Sequence, residues 1–251
     1  MSKTMPCSHK SATTLAALKE LAAKPLALAT AMPKDMYVSP SIFQLEIERL
    51  FHGEWICAGR SDEISNIGDY MSFDLCDQPL ILVRGKDGDV HAMSNVCRHR
   101  MMRLVEGRGT TRKFTCPYHA WTYGLDGTLK GVPGQDGFPG LDRSQRGLKE
   151  VAALERGGIV YVQQDGEIDP RQLDDALDYF EADQVLFDQR VLTDHANWKL
   201  LYETLMEGYH IKSLHRESFY PFGYDNLNVC LLYTSDAADD TPCVDLGGRR
   251  I

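Results

Sequence analysis

The sequence predicts an α+β chain, a small antiparallel β domain followed by the start of a second, helix-bearing domain. Three observations carry this. From Trp55 to about Gln164, short β-rich runs alternate with Gly-containing turns. Within that stretch sit two Cys-and-His pairs, Cys97-Arg98-His99-Arg100 and Cys116-Pro117-Tyr118-His119. After Asp165 the composition turns acidic and helical, and it reaches the run NWKLLYETLMEGYHIKSLH over 197–215.

Taken in order, residues 1–38 read as an N-terminal tail with only a weak helical pattern near Leu15 to Ala23. Ser39-Pro40 then opens a helix, because proline is tolerated in the first turn, and Phe43, Ile47, Leu50 and Phe51 repeat at helical spacing to give one apolar face. Strands are expected over Trp55 to Ala58, Tyr70 to Phe73, Leu80 to Arg84, Val90 to Ser94, Lys113 to Cys116 and Ile159 to Val162. Turns at Lys86-Asp87-Gly88 and Asp126-Gly127 suit hairpins, and Gly131 to Arg143 reads as a surface loop. In the second domain, Leu173, Ala176, Leu177 and Phe180 fall on one helical face. Leu200, Leu201, Leu205 and Met206 form a core-facing stripe on a later helix.

The paired thiols and imidazoles place four metal donors around one loop. Tetrahedral zinc accepts such a set, but zinc modules usually group sulfur with sulfur and nitrogen with nitrogen. Here each pair is mixed. A [2Fe–2S] cluster of the Rieske kind, with two Cys on one iron and two His on the other, fits mixed pairs on two facing loops. Cys-x-His-Arg followed by Cys-Pro-Tyr-His-x-Trp resembles the Rieske domain of non-heme iron oxygenase α subunits. The resemblance implies Cys97 and Cys116 on the inner iron and His99 and His119 on the outer one. Met101 stands where that family often has glycine.

Glu203, Glu207 and His210 fall at i, i+4 and i+7, along one face of a helix. His215 is a further step of roughly 140° around an ideal helix, so the helix must end or deform if both imidazoles are to meet one ion. Glu-x-x-His-x-x-x-x-His after Asn-Trp-Lys is similar to the mononuclear iron signature of the same family. Carried over, His210 and His215 are ligands of Fe(II). Glu207 is the catalytic acidic bridge toward a Rieske histidine of a neighbouring subunit. A third, carboxylate ligand is expected beyond the sequence.

The domain reading is therefore a tail over 1–38, a Rieske domain with its leading helix over 39–165, and a truncated start of an α+β catalytic domain over 166–229. Residues 230–251, CLLYTSDAADDTPCVDLGGRRI, follow neither period and back-translate into both halves of a transposon-type sequencing adapter, so they are expected to be non-native.

The resemblance implies an enzyme that inserts oxygen from O₂ into a small organic substrate: an aromatic acid, another aromatic, or a quaternary ammonium compound. It implies a ferredoxin or a flavin/Fe–S reductase as electron donor and a homotrimer for the full-length protein, while the fragment alone is expected to be inactive. A stand-alone Rieske electron carrier is the alternative. With 251 residues and 43% hydrophobic content the chain can form one large or two small cores. A net charge of −9 disfavours nucleic acid and anionic membrane as partners. Seven scattered cysteines make no disulfide framework, and there is no apolar run long enough for a signal core or a membrane span, so a cytoplasmic location is expected.

Overall fold

Ten short strands carry the first domain: β1 (Ile56–Arg60), β2 (Asp69–Leu75), β3 (Gln78–Arg84), β4 (Val90–Ser94), β5 (Arg108–Thr110), β6 (Phe114–Thr115), β7 (Thr122–Tyr123), β8 (Leu129–Gly131), β9 (Glu150–Arg156) and β10 (Ile159–Gln163). All pair antiparallel, in a seven-stranded sheet ordered β1-β10-β9-β4-β3-β2-β5 and a three-stranded sheet ordered β6-β7-β8. The computed structural model describes residues 9–25, 28, 30–178, 180, 184–193 and 195–223. The segment 230–251 lies outside them.

Strand β3 sits inside the large sheet and is apolar on both faces. Its alternation divides two cores, since side chains two apart share a face. Leu80 and Leu82 join Ile64, Met71, Leu75, Ala92, Val151, Val160 and Val162. Ile81 and Val83 join a second cluster with Met93, Phe114, Trp121, Tyr123, Leu125 and Leu129, and this cluster also buries Cys97 and Cys116. Full burial of each Ile or Val contributes roughly 1.5–3 kcal/mol. The cysteine-bearing loops are thereby anchored in a buried apolar cluster. Arg84 at the end of β3 reaches across β4 to β9, its guanidinium paired in bidentate fashion with Glu155 at 2.5 and 2.7 Å.

The expected hairpins form at both places. Gly88 and Gly127 take φ of +90° and +72°, conformations that side chains rarely adopt. Strand β9 is an addition, and so are β5, β7 and β8. A tight Gly157-Gly158 turn, φ +56° and +76°, joins β9 to β10.

Three expectations change. The leading helix starts at Pro40 as expected, but α3 (Pro40–Glu46) buries Ile42 and leaves Phe43 45% exposed. From Ile47 to Phe51 it widens to π geometry, which alters the angle per residue and breaks the face drawn from a constant period. Second, the described residues between Leu173 and Phe180 form no α-helix. A 3₁₀ turn, Pro170–Leu173, started by Asp169 accepting from the Arg171 amide, ends where that segment begins, and Phe180 instead lies under the Arg60 guanidinium at 3.9 Å. Asp174, Asp175 and Asp178 favour caps and turns over helix interiors. Third, Leu200, Leu201, Leu205 and Met206 are exposed, Leu205 by 84%. The apolar period marks a face but does not specify what packs on it, and this one stays 46–84% exposed among the described residues.

By compactness the chain divides into residues 45–190 and a second unit made of 1–44 and 191–251. The second unit holds, among its described residues, helices α1 (His9–Ala22) and α2 (Asp35–Val38) within the expected tail, then α4 (Trp198–Met206) and α5 (Ile211–Leu214). No helix of the described residues is long and apolar enough to cross a membrane.

Candidate metal centres

The two ligand loops are built on one pattern. In the first, the Cys97 amide donates to Met102 O at 2.8 Å and the Met101 amide donates to Cys97 O at 3.0 Å. In the second, the Cys116 amide donates to Trp121 O at 2.8 Å and the Ala120 amide donates to Cys116 O at 2.9 Å. Each loop therefore closes over six residues and returns on a residue with positive φ, Met101 at +58° and Ala120 at +55°. The cost is one left-handed non-glycine residue per loop, of order 1–2 kcal/mol. The return lets a cysteine inside and a histidine two or three residues later occupy the same turn.

Asn95 holds the first loop from below. It is fully buried, accepts the Leu104 and Val105 amides on Oδ1 at 3.1 Å each, and donates Nδ2 to Val105 O at 2.7 Å. Tyr123, also fully buried, receives the Arg98 amide on its hydroxyl at 3.0 Å and lies 3.3 Å from Cys97 Sγ. Neither residue stood out in the sequence, because a buried polar role depends on partners that spacing does not reveal.

The donors form a gradient from inside to outside. Cys97 and Cys116 are buried and free of disulfides, His99 is half-buried, and His119 is exposed. The His99 and His119 rings lie 4.7 Å apart, and His99 stacks on Trp121 at 4.9 Å with planes 9° apart. Burial, then the neighbouring His119 and Arg100, hold His99 below the usual imidazole range, so it is neutral and able to donate a lone pair. Its Nδ1 is buried without a hydrogen-bond partner. An orphaned imidazole nitrogen beside a second imidazole, with two buried thiols behind, fits a cluster that takes two thiolates and two imidazoles. Among the described residues no three His, Cys, Asp or Glu converge on a single ion. A two-iron cluster asks only two protein donors of each iron.

The second candidate centre forms where α4 stops. Asn197 caps the helix, accepting the Lys199 amide at 3.1 Å, and the chain turns extended at Glu207. A short α5 restarts at Ile211, with His210 and His215 flanking its ends. This break brings the two rings to 5.3 Å, which a continuous helix would not allow. Glu207 accepts the Tyr209 and His210 amides at 2.6 and 3.2 Å and the Nδ1–H of His210. Burial alone would raise the Glu207 carboxyl, but these bonds outweigh it and hold it below the usual range. Glu203 departs from the expected shared face and bonds instead to Tyr37.

The comparisons match both halves. Residues 54–154 match the Rieske [2Fe-2S] domain, and residues 182–243 match the ring hydroxylating alpha subunit catalytic domain. The chain is 40% identical over 193 residues to the glycine betaine monooxygenase oxygenase subunit of Chromohalobacter salexigens, covering 74% of this chain and 43% of that one. It is 34% identical over 201 residues to the anthranilate 1,2-dioxygenase large subunit of Acinetobacter baylyi, covering 72% and 42%. A crystal structure of a quaternary ammonium Rieske monooxygenase in complex with L-carnitine superposes with a TM-score of 0.71 at 29% identity, covering 80% of this chain and 60% of that one.

The chain thus belongs to the α subunits of the Rieske non-heme iron oxygenases. It spans about half the length of the relatives it matches. Its two matched domains imply a [2Fe–2S] cluster and a mononuclear iron. The match over 182–243 leaves no place for the stand-alone electron carrier.

Proposed function

We propose that this chain supplies the Rieske domain and the opening of the catalytic domain of an oxygenase component. Cys97 and Cys116 are the inner-iron ligands, His99 and His119 the outer-iron ligands, and His210 and His215 two ligands of the mononuclear iron. The single observation that carries the reading is the orphaned Nδ1 of neutral His99 beside His119, in front of two buried thiols. When bound, the cluster supplies single electrons and the iron activates O₂.

The residues themselves do the rest. Glu207 holds the proton on His210 Nδ1, which frees Nε2 as the ligand atom and fixes the ring's direction. The buried Trp121 stacks on His99, and Phe138 meets the same ring edge-on, which holds the imidazole plane in place. In the assembled enzyme, a homotrimer, Glu207 bridges toward a Rieske histidine of a neighbouring subunit. A ferredoxin or a flavin/Fe–S reductase delivers the electrons. The free Cys57, Cys76, Cys97 and Cys116 suit a reducing, cytoplasmic setting.

For substrate class, a quaternary ammonium compound is favoured over an aromatic. Supporting this are the 40% identity to a glycine betaine monooxygenase subunit, against 34% for the anthranilate enzyme, and Glu rather than Asp at position 207. The purified chain should contain roughly two iron and two acid-labile sulfide and give a Rieske EPR signal on reduction. A colourless, zinc-loaded protein would overturn the reading. Extended to full length and supplied with a reductase, the enzyme should take up O₂ with glycine betaine or carnitine. Uptake with anthranilate alone would overturn the substrate assignment. His210→Ala should abolish that uptake and leave the Rieske signal intact.

A further inference from the structure

Tyr37 lies in the segment that reads as a tail, yet it is bonded twice to the helix that launches the second centre. Its carbonyl accepts Asn197 Nδ2 at 2.9 Å. Its hydroxyl donates to Glu203, 2.8 Å from Oε1 and 3.0 Å from Oε2. Asn197 is at the same time the cap of α4. Positions 197 and 203 are about 9 Å apart along a helix rising 1.5 Å per residue. One tyrosine therefore spans most of the nine-residue α4.

This helix needs such support. A helix of nine residues does not hold in water on propensity alone, and Leu205 and Met206 on its last turn are 84% and 57% exposed. Burial first, and then the Glu203 bond, push the Tyr37 hydroxyl up to about 12, so it keeps its proton and remains a donor through the neutral range. Glu203 is also one turn ahead of Glu207, where a free carboxylate would offer a competing oxygen donor. The single Tyr37 hydroxyl, near both oxygens, turns that carboxylate toward itself.

We propose that Tyr37 is a positioning residue for the iron site, bracing α4 at its cap and near its end and so fixing where the Glu207-His210-His215 turn departs from Met206. This rests on the reading of His210 and His215 as iron ligands, and the test separates the two claims. Hydrogen exchange of the 251-residue chain is compared for the wild type, Tyr37→Phe and Glu203→Gln. Tyr37→Phe should speed amide exchange over 199–215 roughly tenfold, the loss of one hydrogen bond to a charged group, and leave β3 and β4 unchanged. Glu203→Gln keeps an acceptor oxygen and should retain most of the protection. Unchanged exchange over 199–215 in Tyr37→Phe, or equal acceleration in β3 and β4, overturns the brace. Co(II), added as the probe metal, should give a visible spectrum that His210→Ala removes and Tyr37→Phe weakens. A spectrum that survives His210→Ala overturns the iron reading alone, and the exchange result still decides the brace.

Discussion

Tyr123 and Cys97 are in contact, phenol oxygen to sulfur, at 3.3 Å, and the Arg98 amide donates to the same oxygen at 3.0 Å. Because the oxygen already accepts from Arg98, its own proton is directed at the sulfur. Burial and the Cys97 contact both raise the Tyr123 hydroxyl above its ordinary value, so it stays protonated. A hydrogen bond donated to a cluster thiolate favours the more negative, reduced state. Tyr123→Phe should therefore lower the cluster's reduction potential by about 40 mV, the equivalent of roughly 1 kcal/mol for a one-electron couple. Potentiometric EPR measures this, and the iron and sulfide content should be unchanged.

The left-handed residues that close the ligand loops give a second prediction. Met101→Gly and Ala120→Gly each remove a Cβ from a φ near +55°, a gain partly offset by glycine's larger entropy in the unfolded chain. Each should stabilise the domain by about 0.5–1 kcal/mol, read as a higher urea midpoint at constant slope. A β-branched residue at either position should do the reverse and lower cluster content.

Where the sequence was legible, and where it was not, follows from these same residues. The ligand loops stood out because thiols and imidazoles are scarce and were closely spaced, and β3 because a short apolar run followed by the Lys86-Asp87-Gly88 turn suits a hairpin strand. Strand β9 was hidden by helix-favouring Ala152, Ala153, Leu154 and Glu155, whose place is set by pairing with β10 and β4 rather than by propensity. A signal for it existed in the Gly157-Gly158 pair between apolar runs. Tyr37 and Asn95 carried no such signal. Their roles come from partners far along the chain or from burial.

Asn95 makes a third prediction. Asn95→Ala leaves the part-buried Val105 amide and carbonyl without their partner and leaves the Leu104 amide only its long bond to the residue-95 carbonyl at 3.3 Å. The cost should be about 3 kcal/mol, seen as a lowered urea midpoint. The first ligand loop should lose its footing before the second, so cluster content should fall even where the sheet remains folded. Asn95→Asp keeps the acceptor but buries a charge and should fare no better.

The sheet edge supplies the pH dependence. Asp69 accepts from the Thr110 hydroxyl at 2.5 Å and from the Asn66 amide and side chain at 2.9 and 3.0 Å, tying β5 and the 66–68 turn to β2. The Thr110 bond leads the causes that hold its carboxyl below the usual range, against a smaller opposing effect of burial. A carboxyl with a depressed folded-state pKa contributes fully above the ordinary carboxylate value and loses that contribution as the pH falls through the depressed one. Protection of the 108–111 amides should thus be flat at neutral pH and decline in acid. Asp69→Asn should show weaker protection at neutral pH and no such decline. A wild-type profile that stays level down to the acid limit of the folded state, or an Asp69→Asn profile that still falls, would place the titrating group elsewhere.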